Sequence, residues 1–374
     1  MQNIVVVGAS HAGISFIDNI RKSGFGGSIT LVDRQKGGPM ERPPLSKQFL
    51  LETEDKLDPI FLLKRAKWYK DNDIILKLGV EALEINLGAD LLTLSNGDSL
   101  TFDKLILATG ARPRFLPGCD NLVNAFVLRQ PDDAIAIRET ARKARSAVII
   151  GGGYIGLEVA ASFRQMGLEV CVIEAAERLL ARVASPPVAN FLLNLHQKHG
   201  VSIYTGVSVE ELVRDQQKFT AAKLTDGSII EGDMLVIGIG VTPDSLLAHK
   251  AGLETEGSDG GAIIVNGSMQ TSNPSIIAIG DVALRSGENL SIESVHNAQE
   301  HAVRAVAGMM GHEPPVDEAP RFWSDQYDAN LQSVGIVPVD ANDVFQVVRH
   351  GTREGSSSYW SFQDKTLLSV EAIR

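Results

Sequence analysis

Short, uninterrupted apolar runs recur along most of this chain, and several are followed by a glycine turn and a helical segment. The runs at residues 4–7 and 29–32 have the length of strands buried in a parallel sheet. Runs of the same kind lie within residues 104–110, 147–174 and 235–240. After residue 320 the pattern changes, and short apolar segments separated by turn residues predict an antiparallel β-meander. The chain therefore predicts an α/β fold with a small C-terminal α+β domain.

A glycine motif joins the first two apolar runs. Gly8, Ser10 and Gly13 follow the first run and open a helix, and Asp33 ends the second run. This βαβ unit of roughly 30 residues has the layout of a dinucleotide-binding site. Ser10 replaces the middle glycine, so a plain βα turn is the alternative. Serine is nevertheless small enough for a pyrophosphate to approach the backbone.

A second glycine motif is complete. Gly151, Gly153 and Gly156 follow a strand and precede a helix, and Glu174 ends the next strand. An acid at that place accepts hydrogen bonds from the ribose hydroxyls of the adenosine half and repels a 2′-phosphate. The motif therefore predicts nicotinamide nucleotide binding, with NADH preferred to NADPH.

Two such motifs in one chain indicate a tightly bound flavin in one and a passing nicotinamide nucleotide in the other. The alternative is an internal duplication with one inactive site. Later segments favour two working sites, since Thr109 with Gly110, and Gly240, form turns at strand ends. Asp281 lies on another such turn, where its carboxylate can accept from a ribityl hydroxyl. Two Rossmann-like domains are expected.

The loop at residues 37–44 contains three prolines, and the cations Arg42 and Lys47 flank the pair of prolines at its end. Because proline fixes φ, this loop is stiff and can hold a cation in one place. The alternative is a surface loop with solvated charges. Trp323, near the start of the tail, belongs either to the core of the C-terminal domain or to the cofactor site.

Composition excludes several classes of function. A net charge of −11 argues against general nucleic-acid binding. No apolar run approaches the ~20 residues of a membrane span, and the chain enters a strand almost at once, so a cytoplasmic protein is expected. The two cysteines, Cys119 and Cys171, lie far apart in sequence. They offer neither a dithiol relay nor a metal site, and no metal is expected.

Several segments resemble one family. They are ERPPLSK at residues 41–47, FWSDQY at 322–327, IGGGYIGLEVA, LILATGARPR, AIGDVA and IESV. With these the chain resembles the NADH-dependent ferredoxin reductases of Rieske dioxygenase and bacterial cytochrome P450 systems, which have the glutathione-reductase fold. The resemblance implies non-covalent FAD, hydride transfer from NADH, and single electrons passed to a [2Fe-2S] ferredoxin in a transient complex. A monomer or a homodimer is expected.

The resemblance also implies site residues. It implies FAD contacts at Gly8, Ala12, Gly13, Arg42, Lys47, Ala82, Arg129, Asp281 and Val295, and NADH contacts at Gly151, Gly153, Ile155, Gly156, Glu158, Glu174 and Arg182. We add to the FAD set Ser10, Asp33, Arg34, Thr109, Gly110 and Trp323, and to the NADH set Tyr154 and Gly240. In such relatives the lysine matching Lys47 lies near flavin N5, and the glutamate matching Glu158 meets the carboxamide side of NADH. These two are the predicted catalytic residues.

This chain departs from the family pattern in places. Ser10 replaces a glycine, Arg34 stands where these reductases often carry the acid, and His296 follows Val295. The family usually continues past the position of Arg374, so a shortened C-terminal domain is expected. The predicted domains are FAD-binding (1–112 and 243–320), NADH-binding (113–242) and C-terminal (321–374).

Two other functions stay open on the same fold. One is an NADH:rubredoxin or quinone reductase. The other, of a different class, is an FAD-bound NADH-sensing interaction protein like apoptosis-inducing factor. The loop before Lys47 carries Ser46 and prolines instead of the thiol pair that a disulfide reductase needs beside its flavin.

Overall fold

The structure, a computed structural model, describes residues 2–52, 61–258, 260–338, 343–352 and 355–374. It contains two compact units. The first comprises Met1–Glu41, Lys56–Arg112 and Thr242–Pro320, and the second Arg42–Asp55, Pro113–Val241 and Arg321–Arg374. The second unit thus holds both the segment predicted to bind NADH and the predicted C-terminal domain. The division into three domains stays a prediction.

Strands outnumber helices along the chain and often follow one another directly. The first part contains β1 Asn3–Val7, α1 His11–Lys22, β2 Ser28–Asp33, α2 Gln48–Leu51, α3 Ala66–Asp71, β3 Ile74–Leu78, β4 Ala82–Asn86, β5 Leu91–Leu94, β6 Ser99–Thr101, β7 Lys104–Leu107 and β8 Ala111–Pro113. The middle part contains β9 Ala125–Val127, α4 Pro131–Ala141, β10 Ser146–Ile150, α5 Tyr154–Gln165, β11 Glu169–Glu174, α6 Pro186–Lys198, β12 Val201–Thr205, β13 Val209–Asp215, β14 Lys218–Leu224, β15 Ile229–Glu231 and β16 Met234–Ile237. The last part contains β17 Val241–Pro243, α7 Leu246–Lys250, β18 Ile263–Val265, β19 Ile276–Ala278, β20 Ala283–Arg285, α8 Val295–Met309, β21 Arg321–Gln326, β22 Ala329–Gly335, β23 Val344–His350, β24 Ser357–Gln363 and β25 Thr366–Ile373.

A parallel sheet in the order β19-β7-β1-β2-β3 forms the centre of the first unit. Its strands are apolar, and residues 4–7 of β1 are all buried. Because parallel strands end at the same edge of a sheet, the residues at their carboxyl ends lie along one edge. Gly8, Asp33, Thr109 and Asp281 are at or just beyond these ends. The predicted βαβ unit is therefore confirmed, and its sheet groups four predicted FAD residues.

The second unit repeats this arrangement in a parallel sheet of order β12-β11-β10-β16-β9. Helix α5 connects β10 to β11, as the second glycine motif predicts. Gly151 follows β10, Glu174 ends β11, and Gly240 comes shortly after β16. The carboxyl edge of this sheet thus carries three residues of the predicted NADH set.

An antiparallel sheet in the order β21-β22-β25-β24-β23 completes the second unit. The predicted meander corresponds to β23, β24 and β25. Strands β21 and β22 were not predicted as strands. The inner face of strand β21 is mostly polar, because Ser324 and Gln326 are buried there and the apolar Phe322 is only partly buried.

Residues 45–51 do not form one continuous helix. A 3₁₀ turn covers Pro43–Ser46, and α2 is only four residues long. Lys47 separates them with φ −124° and ψ −113°, which is not a helical conformation. The break places the Lys47 side chain outside any continuous helix.

No helix in the described part of the chain is long and apolar enough to span a bilayer. Across the same residues, no group of three or more His, Cys, Asp or Glu side chains is placed to hold a metal ion.

The turn that carries Asp281 is held by a buried histidine. The Gly280 N–H donates to Nδ1 of His301 at 3.1 Å, and Gly280 has a φ of +77°. Burial, together with the nearby Arg285 and Arg304 guanidinium groups, lowers the pKa of His301 to about 3. The imidazole is therefore neutral in the folded protein and serves as an acceptor.

We expect His301 to make stability fall in acid. Its pKa is 6.5 when unperturbed and about 3 in the folded protein, so between these values only the unfolded chain binds the proton. From about pH 7 to about pH 5, this costs about 2 kcal/mol of unfolding free energy. His301→Asn keeps an acceptor near Gly280 but cannot titrate, so urea unfolding of this variant should show a shallower pH dependence.

His312→Asn, at an exposed histidine, is the matched control and should keep the pH dependence of the parent chain. Equal pH slopes for His301→Asn and the parent chain would show that His301 is not the titrating group.

Candidate functional site

The first glycine loop is packed so tightly that two of its glycines have no room for a side chain. A Cβ on Gly8 would lie 2.1 Å from the Ala108 carbonyl oxygen, and one on Gly13 would lie 2.0 Å from the Gly8 carbonyl oxygen. Ser10 is extended, with φ −108° and ψ −161°, a conformation open to any residue. The replacement of the middle glycine is thus compatible with the loop backbone.

The second loop has the same construction. A Cβ on Gly151 would lie 2.3 Å from the Gly238 carbonyl oxygen, and one on Gly156 would lie 2.0 Å from the Gly151 carbonyl oxygen. Gly153 is different, because apart from its chain neighbours no atom of the described residues lies within 4 Å of its Cβ position, and its φ is −80°. Neither backbone nor neighbours require glycine there. A ligand that approaches the backbone closely would explain it, so this loop fits a dinucleotide.

A carboxylate is bound to each loop in the same way. Ala9 N–H donates to Asp33 Oδ2 at 2.6 Å, and Gly152 N–H donates to Glu174 Oε2 at 2.6 Å. The second oxygen accepts from a backbone N–H two residues further along, at 2.7 Å for Asp33 and 2.8 Å for Glu174. Each oxygen keeps a further lone pair, so both acids can still accept from ribose hydroxyls.

The helices behind the loops begin without a side-chain cap. Neither α1 nor α5 has a capping hydrogen bond or an acid in its first turn, whereas Ser294 caps α8 by accepting from Asn297 N–H. The first N–H groups of α1 and α5 and the positive ends of their dipoles are thus compatible with an anion. Both loops fit the pyrophosphate of a dinucleotide.

The two predicted catalytic residues are in direct contact within the second unit. Lys47 Nζ lies 2.9 Å from Glu158 Oε1, and the two side chains are 17% and 3% exposed. Glu158 also accepts from the Ser46 hydroxyl through Oε2 and from the Ser324 hydroxyl through Oε1, the latter at 2.6 Å. Lys47 Nζ further donates to the Pro43 carbonyl at 3.2 Å. A buried carboxylate with three donors fixes the position of this ammonium group.

Other predicted residues of the second unit also meet. An Arg42 guanidinium N–H donates to the Arg129 carbonyl, so two residues assigned to FAD touch. Arg182 Nη2 lies 3.5 Å from the Cβ position of Gly240, which brings two residues of the NADH set together. Tyr154 opens α5, and burial raises the pKa of its phenol.

In the first unit, Asp244 was missed in the sequence although it organises three predicted residues. Its carboxylate pairs with Arg112 Nε at 2.7 Å and with Arg34 Nη1 at 3.3 Å. Its carbonyl accepts from the Thr109 hydroxyl, and its N–H donates to the Gly110 carbonyl. The available signal was an acid shortly after the glycine turn of Gly240. Arg34 and Thr109 are thus held by Asp244.

The remaining predicted residues are placed as follows. Ala12 lies on α1, Ala82 begins β4, Asp281 lies in a 3₁₀ turn at Gly280–Val282, and Val295 begins α8. Ile155 is 44% exposed at the start of α5, and Trp323 is 41% exposed on β21. Nε2 of His296, the unusual residue after Val295, lies 3.1 Å from Glu318 Oε2. The assignments of all predicted site residues to FAD or NADH stay predictions.

Comparison with known proteins gives the family. The sequence matches the family described as pyridine nucleotide-disulphide oxidoreductase over residues 2–302 and that described as reductase C-terminal over residues 321–374. It is 37% identical to putidaredoxin reductase CamA of Pseudomonas putida, over 99% of this chain and 88% of that protein. It is 35% identical to the probable ferredoxin reductase CtmF of Castellaniella defragrans, over 100% of this chain and 90% of that protein.

Solved structures agree. The covalent putidaredoxin reductase–putidaredoxin complex superposes with a TM-score of 0.91 at 36% identity, covering 100% of this chain and 90% of that one. The ferredoxin reductase for the CYP199A2 system of Rhodopseudomonas palustris gives 0.92 at 34% identity, covering 100% and 91%. These matches confirm the predicted fold class and the predicted resemblance. With both dinucleotide loops present, this chain belongs to the pyridine nucleotide-disulphide oxidoreductase family and carries its reductase C-terminal domain.

Proposed function

We propose that this chain is an FAD-dependent oxidoreductase that takes a hydride from NADH and passes single electrons to a [2Fe-2S] ferredoxin feeding a Rieske oxygenase or a cytochrome P450. The observation that carries the proposal is the pair of matching glycine loops, each with a carboxylate bound to its backbone. The similarity to a ferredoxin reductase and to a putidaredoxin reductase supports the choice of acceptor. We further propose a cytoplasmic location and a transient complex with the ferredoxin.

The proposed FAD residues are Gly8, Ser10, Ala12, Gly13, Asp33, Arg34, Arg42, Lys47, Ala82, Thr109, Gly110, Arg129, Asp281, Val295 and Trp323. The proposed NADH residues are Gly151, Gly153, Tyr154, Ile155, Gly156, Glu158, Glu174, Arg182 and Gly240. When bound, FAD supplies the chemistry that turns a hydride into two single electrons.

The role of the protein in this function is positioning and electrostatics. The Lys47 ammonium would stabilise negative charge on a flavin bound beside it. Glu158 fixes that ammonium, because a 2.9 Å ion pair with a side chain 3% exposed leaves it little freedom. Glu174 selects the nucleotide, since a phosphate on the ribose would meet a carboxylate already held against Gly152.

The function is tested by the electron acceptor. The purified protein should carry stoichiometric, non-covalent FAD and oxidise NADH with ferricyanide. Cytochrome c should be reduced rapidly only when a [2Fe-2S] ferredoxin is added, because the ferredoxin carries single electrons from the flavin to cytochrome c. Stopped-flow and steady-state absorbance measure both reactions.

The outcomes separate the alternatives. Rapid reduction of a quinone or a rubredoxin, with none of a ferredoxin panel, would assign the protein to those acceptors. Slow NADH oxidation with every acceptor, accompanied by a change of oligomeric state, would indicate a sensor. Release of FMN, or protein without flavin after gentle purification, would contradict the cofactor assignment.

Glu174 should set the nucleotide preference. We expect kcat/KM for NADH to exceed that for NADPH by at least about tenfold, or ~1.4 kcal/mol. Glu174→Gln removes the charge that repels a 2′-phosphate and should lower the ratio of kcat/KM for NADH to kcat/KM for NADPH. Glu177→Gln, at an exposed acid three positions on, is the control and should leave it unchanged. Equal efficiency of the parent chain with the two nucleotides would refute the assignment.

Lys47 should control the rate of reduction more than NADH affinity. Lys47→Met removes the ammonium and should slow flavin reduction by about tenfold or more, with a more negative midpoint potential. The double variant Lys47→Met/Glu158→Gln avoids an unpaired buried carboxylate and separates the loss of charge from misfolding. Rapid-mixing absorbance and redox titration measure both quantities.

Lys67→Met is the control for this experiment, because the Lys67 side chain is 81% exposed and pairs only with Asp71 on its own helix among the contacts described. It should leave rate and potential as in the parent chain. If Lys47→Met also leaves both unchanged, Lys47 is a structural partner of Glu158 and has no role toward the flavin.

A further inference from the structure

Glu158 is the end of a chain of buried hydrogen bonds that runs far from the Lys47 ammonium. The Ser324 hydroxyl donates to Glu158 Oε1 at 2.6 Å. Gln326 Nε2 in turn donates to the Ser324 oxygen at 3.0 Å. Since Ser324 and Gln326 are alternate residues of β21, they point to the same face of the strand. The strand thus extends the polar surroundings of Glu158.

The series of hydrogen bonds continues from strand β21 onto helix α6. Gln326 Oε1 lies 2.7 Å from His196 Nε2, and the Tyr327 hydroxyl lies 3.3 Å from His196 Nδ1. Because the Gln326 amide nitrogen is used on Ser324, its oxygen faces the imidazole, and His196 Nε2 must carry the proton. His196 Nδ1 then accepts from Tyr327. Every donor in this series of hydrogen bonds therefore points towards Glu158.

Burial makes these bonds costly to break. Ser324, Gln326 and His196 are 1%, 2% and 0% exposed, and Glu158 is 3% exposed. An unpaired polar group at any of these positions would lose its solvation without a replacement. Burial also lowers the pKa of His196, against the opposing effect of the Gln326 hydrogen bond. The imidazole is thus neutral, with one nitrogen donating and the other accepting.

We propose that Gln326 and His196 are positioning residues that act through the Ser324 hydroxyl to hold the Glu158 carboxylate at Lys47. The proposal rests on the proposed function, in which the Lys47–Glu158 pair serves flavin reduction. Without the Gln326 amide, the Ser324 hydroxyl can rotate towards another acceptor. Glu158 then keeps Ser46 and Lys47 but loses one of the two donors to Oε1, the oxygen that also binds Lys47, and the ammonium is less well placed.

A double-mutant cycle tests whether the effect passes through Glu158. Gln326→Leu should lower the rate of flavin reduction at saturating NADH by about tenfold, the loss expected for one hydrogen bond to a charged group. In the Glu158→Gln background the same change should have little further effect. Ser324→Ala removes the last link with a minimal change of volume and should reproduce the loss. It also serves if Gln326→Leu fails to fold.

The control is Gln332→Leu, an exposed glutamine on the paired strand β22. It should reduce flavin at the parental rate. If Gln326→Leu slows flavin reduction by the same factor in the Glu158→Gln background, the substitution damages the fold in general. An equal loss of rate in Gln332→Leu would lead to the same conclusion. Parental rates in both Gln326→Leu and Ser324→Ala would also overturn the proposal.

A second readout does not depend on NADH chemistry. Histidine-selective ¹⁵N labelling of the purified protein should show His196 as the neutral tautomer protonated at Nε2, and Gln326→Leu should turn it into a mixture. His196→Gln, whose amide nitrogen can replace Nε2, should retain the parental rate, whereas His196→Leu should not. If Nδ1 of His196 carries the proton in the unmutated protein, the inferred direction of the hydrogen bonds is wrong. If the tautomer is as inferred but NADH reduces no flavin, the proposed function fails and the hydrogen-bond chain stands.

Discussion

One close contact between the backbone of the crossover helix and the backbone of the glycine loop determines the shape of each loop. The crossover helix comes so close to the loop that a Cβ at Gly13 or Gly156 would lie 2.0 Å from a carbonyl oxygen of Gly8 or Gly151. Only glycine permits this approach, and the approach aims the first N–H groups of the helix at the carboxyl edge of the sheet. The acids of the neighbouring strands, Asp33 and Glu174, are then within reach of the loop backbone. The conformation of the loop, the direction of the helix dipole and the position of the acid thus follow from one close contact, which is repeated in each unit.

The buried Glu158 imposes a different constraint on the second unit. A carboxylate that is 3% exposed is stable only if its lone pairs are occupied, and here Ser46, Lys47 and Ser324 occupy them. Two of these residues lie just after the loop at residues 37–44, and one comes from the C-terminal sheet. This need explains why β21 carries polar residues on its inner face. It also connects the C-terminal segment to a residue of helix α5, which a purely apolar interface would not require.

The sequence was sufficient for what depends on local spacing and insufficient for what depends on distant partners. Gly8 with Gly13, and Gly151 with Gly156, could be placed from their spacing, and Asp33 and Glu174 from their position at strand ends. The contacts of Glu158 could not, because Ser46 and Ser324 lie 112 and 166 residues away in sequence. Strand β21 escaped prediction because a strand with buried Ser324 and Gln326 has no apolar alternation. Asp244 escaped because its role depends on arginines from two other segments.

The two cysteines give a separate argument about the electron acceptor. Burial raises the pKa of the Cys171 thiol to about 12 and also raises that of Cys119. A thiol is nucleophilic as the thiolate, so neither is reactive near neutral pH. Thiol–disulfide exchange needs a reactive thiolate, and this chain has only these two cysteines, both free. At the loop beside Lys47, a Ser46 hydroxyl donates to Glu158. The chemistry of this member of the family therefore favours electrons leaving to an external carrier over exchange with a protein disulfide.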